Sequence, residues 1–182
     1  MAGRTKREVA KAYDALGGRI YNLRFTEEQE SKYEMLLERI PPETSDIALD
    51  VGCGTGLLTD KLSSRNVGLD ISLALLSAAR MGVGALPNNE LVQADAENLP
   101  FRDATFHKIY SVTLIQNTPN PEKAIVEMKR VSRRGSKLAI TALKKGFTED
   151  QFTSLLEIIG LEPVEFIFDE DLKDWIALVL YI

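Results

Sequence analysis

One cysteine and one histidine occur among 182 residues, and each scarcity excludes a class of chemistry. A lone thiol, Cys53, closes no internal disulfide and builds no cysteine-based metal cluster, so no metal is expected. As a nucleophile it has no base nearby in sequence, because His107 is far along the chain. No stretch approaches the ~20 consecutive apolar residues of a membrane span. The start, Met1-Ala2-Gly3-Arg4-Thr5-Lys6, lacks the apolar centre of a signal peptide, and a cytoplasmic protein with no membrane partner is expected. Repeats, low-complexity tracts and linkers are absent too. Net charge is only -5, and it is uneven: from Glu149 onward nine acids face Lys173 alone, a balance of -8 against +3 for the rest. That is too mild for nucleic-acid binding by charge alone. RNA contact is left to two local groups, Arg4, Lys6, Arg7 and Lys11 and then Lys129, Arg130, Arg133, Arg134 and Lys137. The second group reads rather as a solvated helix face or compensation of a helix end.

With 45% hydrophobic and 27% charged residues, the chain has the makings of one domain with a substantial core. Residues 8–24 and 27–40 carry helical periodicity, with Gly17-Gly18 as the separator and Pro41-Pro42 as the stop. Strands are expected near 46–51, 66–70, 90–94, 107–112 and 137–142, and helices near 57–63, 72–80, 121–132 and 149–159. Such alternation implies parallel strands with right-handed crossovers. Residues 162–168 and 175–182 then read as a hairpin around an acidic turn.

The densest signal is Asp50-Val51-Gly52-Cys53-Gly54-Thr55-Gly56, where an apolar strand enters a glycine turn. Glycine allows positive φ and close backbone approach. A helix expected from about Leu57 to Leu62 would aim its N-terminal dipole over the loop. A dinucleotide site is the rival, but its fingerprint is G-x-G-x-x-G, and Leu57 stands where the third glycine belongs. Asp50 would repel a pyrophosphate and attract an ammonium. A ligand with an α-amino group, a carboxylate and a ribose fits better than one with two phosphates.

Residues 50–56 resemble the first motif of class I S-adenosylmethionine-dependent methyltransferases. Asn66-Val67-Gly68-Leu69-Asp70-Ile71-Ser72 resembles the end of that family's second strand, and Gln93-Ala94-Asp95-Ala96-Glu97-Asn98-Leu99-Pro100-Phe101 its third strand and loop. Residues 106–138 resemble the branch typified by the ubiquinone-biosynthesis methyltransferases, methyltransferase type 11. The resemblance implies an α/β, Rossmann-like fold. Its seven-stranded, mostly parallel sheet would run in the order 3-2-1-4-5-7-6, the last strand antiparallel. One domain is implied, with residues 1–42 a helical lid over a cofactor-binding core of 43–182.

S-adenosylmethionine is the implied cofactor and S-adenosylhomocysteine its product. Asp50, Gly52, Cys53, Gly54, Gly56, Asp70, Ile71, Asp95, Ala96 and Thr113 would hold it, with Asp70 on the ribose hydroxyls, Asp95 on the adenine amino group and Ala96 giving a backbone N–H. Gln116, Asn117 and the lid residue Tyr13 are the candidates for orienting or deprotonating the acceptor, with Asp14 and Tyr21 behind them; His107 is read as structural. The loop Gln116-Asn117-Thr118-Pro119 lacks the aromatic clamp of Asn-Pro-Pro-Tyr methylases, so the acceptor, a small molecule or an RNA or translation component, stays open. Nothing beyond cofactor domain and lid is seen, so recognition falls to lid, loops or a partner. The edge strand Glu90-Leu91-Val92-Gln93-Ala94, with the apolar residues 81–87 before it, is a candidate docking face for a homodimer or a small zinc-binding activator subunit. The alternative function is a non-catalytic methyltransferase-like subunit of a heteromeric complex.

Overall fold

A computed structural model describes residues 5–82 and 88–182; Arg4 and residues 83–87 of the apolar stretch lie outside them. Helix α1 (Lys6–Arg39) opens on a capping box. Thr5 Oγ1 accepts from Glu8 N at 3.3 Å and Glu8 Oε2 accepts from Thr5 N at 2.8 Å, satisfying two otherwise orphaned donors. It stops before Pro41-Pro42, where the ring of a proline disfavours helical backbone in the residue ahead of it. Two helices, 8–24 and 27–40, were expected from the sequence; the structure has one element broken at Gly17, whose φ of 69° and ψ of 155° are open to glycine. Gly18 serves packing instead. A Cβ there would stand 2.4 Å from Ala78 Cβ on α2 (Leu73–Gly82), so the two helices approach only because it is absent.

The strands are β1 (Ile47–Val51), β2 (Arg65–Asp70), β3 (Asn89–Gln93), β4 (Phe106–Ser111), β5 (Ser132–Leu143), β6 (Pro163–Ile167) and β7 (Asp174–Tyr181). They form one sheet in the order β3-β2-β1-β4-β5-β7-β6. Only β7 runs against the rest, as the resemblance implied. The two borders differ. β3 carries no proline, whereas β6 opens on Pro163 and shifts register before Glu165.

Alternation along the strands divides the core in two. Leu49, Ile109, Leu138, Ile140, Ala177 and Val179 face α3 (Pro121–Val131) and α4 (Glu149–Ile158), meeting Ile125, Met128, Phe152 and Leu156. Their neighbours Ala48, Tyr110, Ala139, Ile176 and Leu178 face the second half of α1, meeting Tyr33, Leu36 and Ile40. Asn120 and Thr148 cap α3 and α4 through Lys123 N and Gln151 N.

One expected element is missing. After the glycine turn only a 3₁₀ turn, Thr59–Lys61, forms where a helix over 57–62 was expected. Thr59 Oγ1 donates to Asp50 Oδ2 at 2.7 Å, and the chain enters β2 four residues after Lys61. A single turn of that kind has no appreciable dipole to direct at a ligand. Strand β5 also begins at Ser132, earlier than the expected 137, because Ser132 pairs with Phe106 ahead of an irregularity, beyond which Lys137 pairs with Lys108.

Candidate active site

The carboxyl ends of β1 to β4 open into one cleft of about 670 Å³, its mouth included, with Lys6, Val9 and Tyr13 of α1 along it. In an open parallel sheet this is where the strand order reverses and ligands bind. Of the residues expected at the cofactor, the cleft wall gathers Gly52, Asp70, Ile71, Asp95, Ala96 and Thr113, and with them Asn117, Tyr13 and Tyr21. Asp50, Cys53, Gly54, Gly56 and Gln116 are off the wall.

Asp70 ends β2 only 8% exposed. Its Oδ2 accepts from Gly54 N at 2.9 Å and its Oδ1 from Ser72 N at 2.8 Å. Burial raises this carboxyl above the usual range, with the N–H groups of Ser72, Gly54 and Ile71 pulling the other way. Each oxygen keeps acceptor capacity for a hydroxyl donor. Asp95 Oδ1 accepts from Glu97 N at 2.9 Å, while Oδ2 takes the Lys6 ammonium at 2.5 Å. Burial pushes Asp95 up, but Lys6 and the Glu97 N–H outweigh it and hold the carboxyl below its ordinary value. Lys6 also pairs with Glu97 Oε2 at 2.9 Å, so α1 is latched to this end of the cleft. Beside them the Ala96 N–H has no partner among the described residues. An acceptor pair at Asp70, an acceptor at Asp95 and a free backbone donor at Ala96 match the sugar edge and the amino edge of an adenosine.

The glycine turn is a shell rather than a wall. Gly52, Gly54 and Gly56 all have positive φ, and the Tyr21 ring covers Gly54 so closely that a Cβ there would lie 3.3 Å from it. Tyr13 stands edge-on to Tyr21 at 6.3 Å. Cys53 is buried, with its Sγ beside Gly68. Asp50 lies beneath the turn, 3% exposed, held by Thr59; with no cation beside it, burial pushes its carboxyl up to about 7. The expected direct partner of an ammonium therefore sits one layer behind the surface.

At the β4 end, Thr113 carries φ of 57°, an outlier for a β-branched residue. Its carbonyl accepts from Gln116 Nε2 at 2.5 Å and from Asn117 Nδ2 at 3.1 Å. Asp14 anchors α1 to Ser72 Oγ and Ala74 N. His107 is at the opposite end of the sheet, accepting from Ile47 N at 3.0 Å with Arg133 against its other nitrogen. Two of the second basic group are engaged within the protein: Arg130 ties Glu127 and Asp103 to the carbonyls of Leu99 and Phe101, and Lys129 donates to the carbonyls of Ile159 and Gly160, while Arg133, Arg134 and Lys137 are exposed. Lys6 entered the sequence reading only as one of a basic group. Lys32 and Asp174, taken up below, were missed.

The family described as "Methyltransferase domain" matches residues 49–140, half of the chain. The chain belongs to that family. It falls in the class I S-adenosylmethionine-dependent group, in the branch of UbiE. It is 32% identical to the malonyl-[acyl-carrier protein] O-methyltransferase of Marinomonas sp. (strain MWYL1), over 78% of this chain and 53% of that one. It is 38% identical to the ubiquinone/menaquinone biosynthesis C-methyltransferase UbiE of Escherichia fergusonii, over 56% of this chain and 44% of that one. The chain thus spans about half the length of these curated relatives. Among solved structures, the complex between the Haloferax volcanii Trm112 methyltransferase activator and a methyltransferase gives a TM-score of 0.79 at 16% identity, covering 92% of this chain and 96% of that one. Among the described residues no helix is long and apolar enough to cross a membrane.

Proposed function

We propose that this chain is an S-adenosylmethionine-dependent methyltransferase that moves a methyl group by in-line displacement to an acceptor held at the β4 end of the cleft. The observation that carries this reading is the gathering of Asp70, Asp95 and the unpartnered Ala96 N–H on one wall, with Thr113 and Asn117 on the next. When bound, S-adenosylmethionine supplies a methyl group activated by positive sulfur. The protein's part is alignment and exclusion of water. Asp70 would receive the ribose hydroxyls, Asp95 the adenine amino group, and Ala96 would donate to the ring. Gly52, Ile71 and Thr113 shape the wall between them, while Asp50, Cys53, Gly54 and Gly56 form the layer that holds the turn in place. Asn117, with Gln116 and Tyr13 around it, would orient the acceptor.

The acceptor is a small molecule or an RNA or translation component. The curated relatives act on an O and on a C atom, so kinship alone does not choose. We infer a partner at β3: this border lacks proline, and the Haloferax protein similar in fold is held by an activator subunit. A second copy of the chain is the competing occupant.

Calorimetry with S-adenosylmethionine, S-adenosylhomocysteine and NAD tests the cofactor. Both adenosyl ligands should bind and NAD should not; binding of NAD alone would overturn the reading. Radiolabelled methyl transfer to fractionated cell extract, with RNase and protease controls, then assigns the acceptor class. Cofactor binding without transfer to any fraction would favour the non-catalytic subunit instead.

A further inference from the structure

The second half of α1 carries a lysine that has no business in an apolar interface. Lys32 is fully buried, its Nζ 2.8 Å from Asp174 Oδ1, itself fully buried at the start of β7, and 3.1 Å from Glu28 Oε1. Burying a charged pair brings little net stability over an apolar pair of the same shape, so its retention calls for another account. The pair converges on Thr113. Lys32 Nζ donates to Thr113 Oγ1 at 3.2 Å, and Thr113 Oγ1 donates to Asp174 Oδ2 at 2.8 Å. Thr141 Oγ1 bridges the same group, donating to Asp174 Oδ2 and accepting from Thr113 N, both at 2.8 Å. Every polar atom of Thr113 is thereby tied, and the residue stays in a left-handed conformation that its branched side chain disfavours.

The conformation has a directional result. A carbonyl only accepts, so Thr113 O fixes which way the Asn117 amide points: nitrogen to the carbonyl, oxygen away from it. Asn117 lines the cleft, and its Oδ1 has no partner among the described residues. A second carbonyl oxygen beside the cluster is also unmatched. Gln29 is 4% exposed and donates from Nε2 to Thr113 Oγ1 at 3.3 Å, leaving Oε1 without a hydrogen bond. The buried Gln29 oxygen bears the cost of an unmatched acceptor, while the Asn117 oxygen, on a residue of the cleft wall, is open to a hydrogen brought by a ligand.

We propose that Lys32 and Asp174 are positioning residues: through Thr113 they turn the Asn117 oxygen toward the methyl acceptor, which is therefore a group bearing N–H or O–H. This rests on the proposed function, since it presumes that the β4 end of the cleft receives the acceptor. In the transfer, the bond from the acceptor nitrogen or oxygen to the methyl carbon forms as the carbon–sulfur bond breaks. The electron pair of that bond goes to sulfur, and the acceptor's proton leaves to water.

The test uses the full chain saturated with S-adenosylhomocysteine and follows the Asn117 side-chain amide by ¹H–¹⁵N spectroscopy, assigned with Asn117→Asp. Benzylamine and benzyl alcohol serve as donor probes and acetophenone as the probe without a donor. The unsubstituted protein should show a shifted, protected Asn117 amide that responds to the two donors and not to acetophenone. Lys32→Met/Asp174→Val, an apolar pair of similar volume, should return that amide to a solvent-like position and weaken the donor response at least tenfold. If this variant does not fold by circular dichroism, Thr141→Val removes the bridging hydroxyl with little change of shape and should have the same effect. An unaltered Asn117 signal in a folded variant, or acetophenone responding as the donors do, overturns the inference. Failure of S-adenosylhomocysteine to bind the unsubstituted protein overturns the proposed function first and this inference with it.

Discussion

At the scale of single residues, the cleft depends on carboxylates whose surroundings differ. Asp70 is proposed to hold the ribose hydroxyls, and Asp70→Ala should then weaken S-adenosylhomocysteine binding by about 1.5–3 kcal/mol, the range for hydrogen bonds to a charged group. Calorimetry at constant pH reads this directly, and an unchanged affinity would remove Asp70 from the ribose. Asp50 makes a prediction about stability. Its folded carboxyl is pushed up to about 7 from 3.8 by burial, so between those values the folded state binds the extra proton. Asp50 therefore adds no cost below the lower value; stability is lost progressively as pH rises from about 3.8 to about 7, and the full cost is present above that. Asp50→Asn, which can still accept from Thr59, should raise the unfolding free energy of the ligand-free protein by about 2–4 kcal/mol at pH 8 and by little at pH 4. Thermal unfolding at the two pH values checks it. Asp70 and Asp95 were legible in the sequence because each follows a strand that carries a motif. Lys32 and Asp174 were not, since their pairing spans 142 positions. A trace existed all the same: Gln29, Lys32, Tyr33, Leu36 and Ile40 recur at helical spacing and are all buried, which puts a lysine inside the apolar stripe.

Among the elements, α1 shows where pattern reading succeeds and fails. Its periodicity, cap and stop are local, and the sequence displays them. The helix expected over residues 57–62 failed because Leu57, Leu58 and Leu62 supply helical spacing while Thr59 is drawn inward to Asp50, a demand that comes from the tertiary fold. Gly17 divides α1 into a part latched by Lys6 to Asp95 and a part pinned by Lys32 to Asp174. A Cβ at Gly17 would meet nothing within 4 Å, so Gly17→Ala isolates backbone strain from packing. It should destabilise the protein by about 1–3 kcal/mol and raise hydrogen exchange in residues 6–16 while leaving residues 30–38 protected. Equal loss in both halves would show that the kink is no hinge.

For the whole molecule, the expected division into a lid of residues 1–42 and a core of 43–182 becomes a question of cooperativity. Because α1 buries Leu36 and Ile40 on the sheet and shares a buried ion pair with β7, lid and core should unfold together. Fluorescence of Trp175, the one tryptophan, and far-UV circular dichroism should give coincident denaturation curves; an early helical loss would make the lid a separate unit. The strand order was foreseeable through the family resemblance, with which the strand–helix alternation and the closing hairpin agree. The unequal borders of the sheet carry one more result. A filament of joined sheets needs two receptive margins on every molecule, and Pro163 with its register slip spoils one of them. Were two copies to join through β3, the remaining margin would be consumed on both, and sheet-to-sheet growth would end at a pair.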